Sequence, residues 1–298
     1  MSALLHRVEA LSVDHSAAAA RGDRAGIGQF FTPAVLAEFM ASLLAPRTGE
    51  DVRILDPGAG TGILGIAAAE RLLSTGAGSV HLVAVEHDAD VLPRLRVALE
   101  ATSAAYGQRF TYDVRVEDFL EYGQLIRPLE VFDVVIANPP YQKAPPDDPR
   151  GGGTPNLYTR FMEIAGALLD ARGMLCFVIP RSYASGLYFR RFRQRFHRSV
   201  SMTRVHVFRS RRDAFKGDRV LQESIIVAAG KSPSETVTIS SSEGLDDLSR
   251  ATALTVPTRR VLDVTSPEAW LHLPETPGDL ETLAAVESQP FRLSRLGL

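Results

Sequence analysis

Short apolar runs alternate with amphipathic stretches along most of the chain. VRILD (Val52 to Asp56), VHLVAVE (Val80 to Glu86), FDVVIAN (Phe132 to Asn138) and MLCFVI (Met174 to Ile179) are almost wholly apolar, as strands covered on both faces must be. Apolar positions at helical spacing predict helices over Gly62 to Leu73, Ala89 to Ala104, Leu157 to Leu169 and Tyr188 to Arg198. Further strands are expected near Phe110 to Val114, at TRVHVF and at LQESIIVAA, which makes seven. Ahead of them Ser2 to Ala20 reads as a helix, Arg21 to Gln29 as a Gly/Arg loop, and Pro33 to Leu44 as a helix with proline in its first turn. The pattern predicts an α/β fold, a mostly parallel sheet with helices on both faces and a ligand site at the carboxyl ends of its strands.

After these strands the regularity fades. Lys231 to Ala253, rich in Ser, Thr and Asp, reads as a linker or a small β excursion, and Val261 to Leu298 as Pro-bounded pieces with one short helix over Gly278 to Glu287. The close at RLSRLGL, apolar and without a capping signal, reads as a chain cut short. No internal repeat is visible.

With 298 residues, 45% of them hydrophobic and 23% charged, the chain can bury one large core or two smaller ones, and one domain plus an appendage is expected. No run approaches the ~20 apolar residues of a membrane span and no leader pattern opens the chain, so a soluble, cytoplasmic protein is expected. Cys176, the single cysteine, lies inside MLCFVI; it excludes an intrachain disulfide and reads as a buried structural thiol. The seven histidines show no metal-ligand spacing, and no metal is expected. The net charge of −2 hides an asymmetry: from Arg181 to Arg219 twelve Arg/Lys face Asp213 and Asp218, a local balance of +10, so the rest carries −12. Alone, that block suits a solvated helix face as well as a surface for phosphates.

DPGAGTGILGIAAAE leaves the first strand and enters a helix, so its glycines let the backbone turn tightly and approach a ligand at the helix N-terminus. By itself the motif suits NAD, S-adenosylmethionine or a bare strand-to-helix turn. Glu86 ends the next strand, 24 residues beyond Gly62, where a carboxylate can accept from ribose hydroxyls. Asp118 in EDFL can accept from an adenine amine with Phe119 over the ring, or simply begin a helix.

NPPY at the end of the fourth strand is more specific. An aromatic amine such as adenine N6 is a poor nucleophile because its lone pair is delocalised into the ring. The amide oxygen of Asn138 and the carbonyl of Pro139 are two acceptors for its two N–H groups, Pro139 and Pro140 stiffen the tip, and Tyr141 offers a stacking face. Such stacking is worth roughly 1 to 3 kcal/mol, an offset against extruding a base from a duplex. The Pro/Gly segment from Gln142 to Pro155 then reads as a lid.

FTP, DPGAGTG, EHD, EDF and NPPY, in that order, resemble the S-adenosylmethionine-dependent N6-adenine DNA methyltransferases of restriction-modification systems, in the gamma arrangement with FTP first, over about residues 26–230. The resemblance implies a Rossmann-like seven-stranded sheet with its last strand antiparallel, S-adenosylmethionine as cofactor, double-stranded DNA as partner with a flipped adenine, and a restriction endonuclease as a further partner. It implies N-terminal helices and a cofactor segment over 1–48, a catalytic domain over 49–230, and over 231–298 a linker with the start of a truncated target-recognition region. By the same resemblance Phe31 and Thr32 contact the methionine part of the cofactor, Asp56, Gly58 and Gly60 hold its amino-acid end, Glu86 binds ribose, and Asp118 and Phe119 hold its adenine. Phe215 is the candidate for a second aromatic against the flipped base, with Phe208 as rival, and Arg191, Arg193 and Arg195 become candidates for phosphate contact.

The runner-up is an NPPY methyltransferase acting on a protein glutamine or on RNA; FTP and the arginine block favour DNA. Cytosine-N4 enzymes usually carry serine where Asn138 stands. Cytosine-C5 methylation needs a thiolate in an active-site loop, which Cys176 does not supply. An NAD dehydrogenase leaves NPPY unexplained, and a DNA-binding module without turnover leaves Asn138, Tyr141 and Glu86 without purpose.

Overall fold

Each apolar run forms a strand. In the computed structural model, which describes residues 2–19, 32–126, 129–143, 156–210 and 223–289, these are β1 (Asp51–Pro57), β2 (Ser79–Val85), β3 (Phe110–Arg115), β4 (Phe132–Ala137), β5 (Leu169–Pro180), β6 (Ser201–Phe208) and β7 (Ser224–Gly230). Two more follow, β8 (Thr236–Ser242) and β9 (Thr252–Pro257), and all nine make one sheet in the order β3-β2-β1-β4-β5-β7-β6-β8-β9. Strands β1 to β5 pair in parallel, and β7 lies antiparallel between β5 and β6. The expected seven strands are therefore nine: β8 pairs in parallel with β6, and β9 closes the edge antiparallel to β8.

Strand periodicity of two sorts the core into layers. Ile54, Val134, Ile136, Cys176 and Val178 point into one apolar cluster, while Leu55, Val135, Ala137, Phe177 and Ile179 point into the other. The first cluster is covered by α1 (Ala3–Ala19), α2 (Ala34–Ser42), α3 (Ile63–Ser74) and α4 (Leu92–Tyr106); the second by α5 (Phe119–Leu125), α6 (Leu157–Leu168) and α8 (Arg190–Ser199). A short α7 (Ser182–Ser185) follows β5, and α9 (Thr258–Val261) and α10 (Pro277–Glu287) follow the sheet. The Cys176 thiol is fully buried, as expected of a structural thiol, and burial raises its pKa. No helix among the described residues is long and apolar enough to cross a membrane.

The Ser/Thr-rich stretch after β7 is a β excursion rather than a linker because its polar side chains are satisfied inside the sheet. His206 on β6 is fully buried, with Nδ1 2.9 Å from Ser240 Oγ and Nε2 3.0 Å from Ser242 Oγ on β8. Its ring packs edge-on against Phe39 and Phe208. Phe208, the rival to Phe215, is thus a fully buried core residue.

Candidate active site

The parallel strands deliver three chain turns to one edge. Register pairs Asp56 with Ala84 and Pro57 with Val85, and on the other side Leu55 with Val135. Each strand runs on two residues past the last β1–β4 pair, so Gly58 and Asn138 follow the ends of adjacent strands. The glycine turn and the NPPY tip thus emerge from adjacent strands at the same edge of the sheet.

Beyond Pro57 the backbone doubles back through Gly58 (φ +72°), Gly60 (φ +56°) and Gly62 (φ +83°), conformations that side-chain-bearing residues rarely adopt. Gly58 and Ala59 donate their N–H groups to the Val85 carbonyl at 2.9 and 3.0 Å. Gly60 donates to Glu86 Oε2 at 2.9 Å, while Glu86 Oε1 accepts from the His87 and Asp88 backbones at 2.8 Å each. Glu86 thus ties the turn to the end of β2.

Asp56 is 1% exposed. Its Oδ2 accepts from Gly65 N at 2.8 Å, but the buried Oδ1 has no hydrogen-bond partner among the described residues. Burial, opposed by the Gly65 bond and reinforced by the Glu86 charge, pushes its pKa up to about 7. A Cβ built on Gly60 would meet nothing within 4 Å, so the turn opens onto free space. An unsatisfied carboxylate oxygen beside an open glycine turn fits a ligand with a cationic end, and so fits the methionine portion of S-adenosylmethionine.

Asp118 N-caps α5, its Oδ1 accepting from Leu120 N at 2.7 Å. Phe119 is buried against Phe161, ring centroids 4.8 Å apart. Phe161 also lies 3.7 Å from the Cβ position of Gly58, so it joins the glycine turn to Phe119. Sequence reasoning missed Phe161: its place in LYTRFMEIAGAL matches the apolar stripe of an ordinary helix, and only the pairing of strands reveals which neighbour it meets.

At the NPPY tip, Asn138 Oδ1 accepts from the Tyr141 hydroxyl at 2.9 Å and Nδ2 donates to Thr32 Oγ1 at 3.3 Å. The Tyr141 hydroxyl also reaches the Val178 carbonyl, at 3.2 Å. Pro139 is buried and Pro140 half-buried. The Tyr141 ring meets Tyr158 edge-on at 6.3 Å, and burial raises its phenol pKa. Thr32, expected beside the cofactor, is held near the amide because Glu9 Oε1 on α1 accepts from Ala34 N at 2.9 Å and fixes the start of α2. Phe31, Phe215 and residues 144–155 of the expected lid lie outside the described residues.

The N-6 DNA Methylase family model matches residues 15–156, and the Eco57I restriction-modification methylase model matches residues 108–215. The Type II methyltransferase M.BsuBI of Bacillus subtilis is 32% identical over 285 residues, which are 90% of this chain and 56% of that protein. Over residues 15–215 the chain is thus similar to N6 DNA methylases and restriction-modification methylases. The Type II methyltransferase M.PstI of Providencia stuartii is 29% identical over 291 residues, 92% of this chain and 57% of that protein. The chain spans somewhat over half the length of both relatives. The fold matches a crystal structure of a modification subunit, assigned to a type I restriction enzyme, from Vibrio vulnificus YJ016: TM-score 0.66 at 16% identity, over 95% of this chain and 67% of that one.

The arginine block of this chain is not one uniform surface. Arg193 is 0% exposed, and its guanidinium donates to the carbonyls of Tyr183, Gly186, Glu268 and Ala269 at 2.6 to 2.9 Å. Its expected phosphate contact is corrected: with its donors spent on irregular backbone, Arg193 is a buried clasp. Arg195 is paired with Glu163 Oε1 at 2.7 Å. Arg191 is exposed, with no hydrogen bond or ion pair among the described residues.

Proposed function

We propose that the chain transfers a methyl group from S-adenosylmethionine to the N6 amine of an adenine extruded from duplex DNA. One observation carries the reading: the Asn138 amide is held between Thr32 and Tyr141 at a proline-stiffened tip on the strand adjacent to the one that feeds the glycine turn. The unpartnered Asp56 Oδ1 would take the cofactor's ammonium, the Gly58 to Gly60 backbone would lie along its amino-acid end, Glu86 would meet ribose, and Phe119 with Phe161 would flank adenine. Bound there, S-adenosylmethionine supplies a methyl group on a cationic sulfur that leaves readily when an amine attacks.

The chain's own residues prepare the amine. Asn138 Oδ1 and the Pro139 carbonyl accept its two N–H groups and draw the nitrogen toward tetrahedral geometry, which localises the lone pair. While Oδ1 accepts from Tyr141, its second lone pair is left for the amine. Neither acceptor is basic enough to keep a proton, so the one lost after transfer passes to water. Thr32 holds the amide so that oxygen, not nitrogen, faces the base.

The test is incubation with radiolabelled S-adenosylmethionine and, in separate reactions, duplex DNA, RNA and a release-factor-like protein. Label entering DNA is the expected result; label in RNA or protein alone would overturn the proposed substrate.

A further inference from the structure

The clasp made by Arg193 brings together two exposed pieces of chain. One guanidinium nitrogen donates to Gly186 O at 2.9 Å while another donates to Ala269 O at 2.6 Å, so the residues that follow, Leu187 and Trp270, leave from adjacent points. Leu271 N also donates to Ala184 O at 2.9 Å, which anchors the second piece against α7. Leu187, Tyr188 and Trp270 are 71%, 84% and 43% exposed. Tyr188 and Trp270 are the only aromatic residues among the large hydrophobic side chains exposed on the described surface.

Two features argue that this exposure is built in. Ala269, just before the tryptophan, has φ +46° and is the one non-glycine residue with positive φ among the described residues. It is held there by Arg193 Nε on its carbonyl and by Ser266 Oγ, which accepts from its N–H at 2.9 Å. The patch is also tied to the reaction site, because Phe189, next to Tyr188, packs on Tyr158 at 5.6 Å and Tyr158 meets Tyr141 at 6.3 Å. Phe189, the residue after Tyr188, therefore lies two ring contacts from the tyrosine that would stack on the target base. Arg190 and Arg191, exposed and without partners among the described residues, follow in the chain and supply positive charge.

We propose that Leu187, Tyr188 and Trp270 form a platform against duplex DNA beside the extruded adenine, with Arg190 and Arg191 turned to the phosphates. This rests on the reading of the site as one that acts on DNA. Exposed apolar side chains among arginines suit a duplex with one base removed, since they can cover the bases and sugars left without a stacking neighbour.

Trp270 is the chain's sole tryptophan, so its emission reports on the patch without any substitution. A short mixed-sequence duplex with a terminal fluorophore is titrated, binding is read by anisotropy, and Trp270 emission and acrylamide quenching are followed in parallel. The proposal expects emission to change and acrylamide access to fall along the binding curve. It also expects L187A/Y188A to weaken duplex binding about tenfold with calorimetric S-adenosylmethionine binding unchanged. Duplex binding with Trp270 emission and access unaltered overturns this proposal alone. No duplex binding by the unaltered chain overturns it together with the DNA reading.

Discussion

The hydroxyl of Tyr141 donates to the amide oxygen of Asn138 at 2.9 Å, so the residue expected to stack on the base also orients the residue expected to activate it. Substitution separates the two roles. Tyr141→Phe keeps the ring and should lower kcat about tenfold with KM for DNA little changed, a loss of one orienting hydrogen bond. Tyr141→Ala removes the ring as well and should add a loss of roughly 1 to 3 kcal/mol on the DNA side. Equal kinetics for the two variants would remove stacking from the account.

Asn138→Ala deletes an acceptor used only as the amine changes geometry. The rate should fall by about 10² to 10³, the usual cost of one preorganised transition-state partner, with cofactor affinity within about twofold. Single-turnover rates beside calorimetry test this, and a large loss of cofactor binding would contradict it.

The pH dependence follows from Asp56. Its carboxyl, pushed up to about 7 by burial, is protonated in the free protein between the usual carboxylate range and neutrality. The folded form then holds more protons than the unfolded one in that window, so this stabilising contribution is full below about pH 4 and is lost as pH rises through about 7. Against Asp56→Asn, the unaltered chain should lose Tm between pH 5 and 8. A cofactor cation on Oδ1 should release a proton on binding at pH 6 and scarcely any at pH 8; isothermal titration in buffers of different ionisation enthalpy measures the difference.

Two glycines of one turn should behave differently. A Cβ at Gly62 would lie 2.8 Å from Leu95 Cδ1, so Gly62→Ala should destabilise the fold by about 2 kcal/mol or more. Gly60→Ala meets no protein atom within 4 Å. It should cost stability only about 1 kcal/mol for its left-handed backbone while weakening cofactor binding at least about tenfold. Denaturation curves and calorimetry separate these effects.

Arg193 and Arg191 are a further contrast within one helix. Arg193→Met leaves four backbone carbonyls without a donor and should lower stability by about 3 kcal/mol or more. Arg191→Ala should leave Tm unchanged and reduce the salt slope of DNA binding by about one. An unchanged slope would return Arg191 to an ordinary solvated surface.

The parts most legible in the sequence are those where local chemistry and fold demand the same residues. Apolar runs at β1, β2, β4 and β5 have no role other than buried strands, and Gly58, Gly60 and Gly62 show the positive φ that their spacing suggests. β8 was less legible because its Ser240 and Ser242 are satisfied by His206, a partner more than 30 residues earlier in the chain. Arg193 misled for a related reason. Its charge suits a solvated surface, and its acceptors come from Tyr183, Gly186, Glu268 and Ala269, two segments brought together only by folding. The contact of Thr32 with Asn138 spans 106 residues and has no local signature.

The most direct measurement is the identity of the methylated nucleoside. Duplex DNA is incubated with labelled S-adenosylmethionine and either the unaltered chain or Asn138→Ala, digested to nucleosides and resolved by mass. The account predicts N6-methyladenine from the unaltered chain and nearly none from the variant. N4-methylcytosine, or the same yield of N6-methyladenine from both proteins, would contradict it.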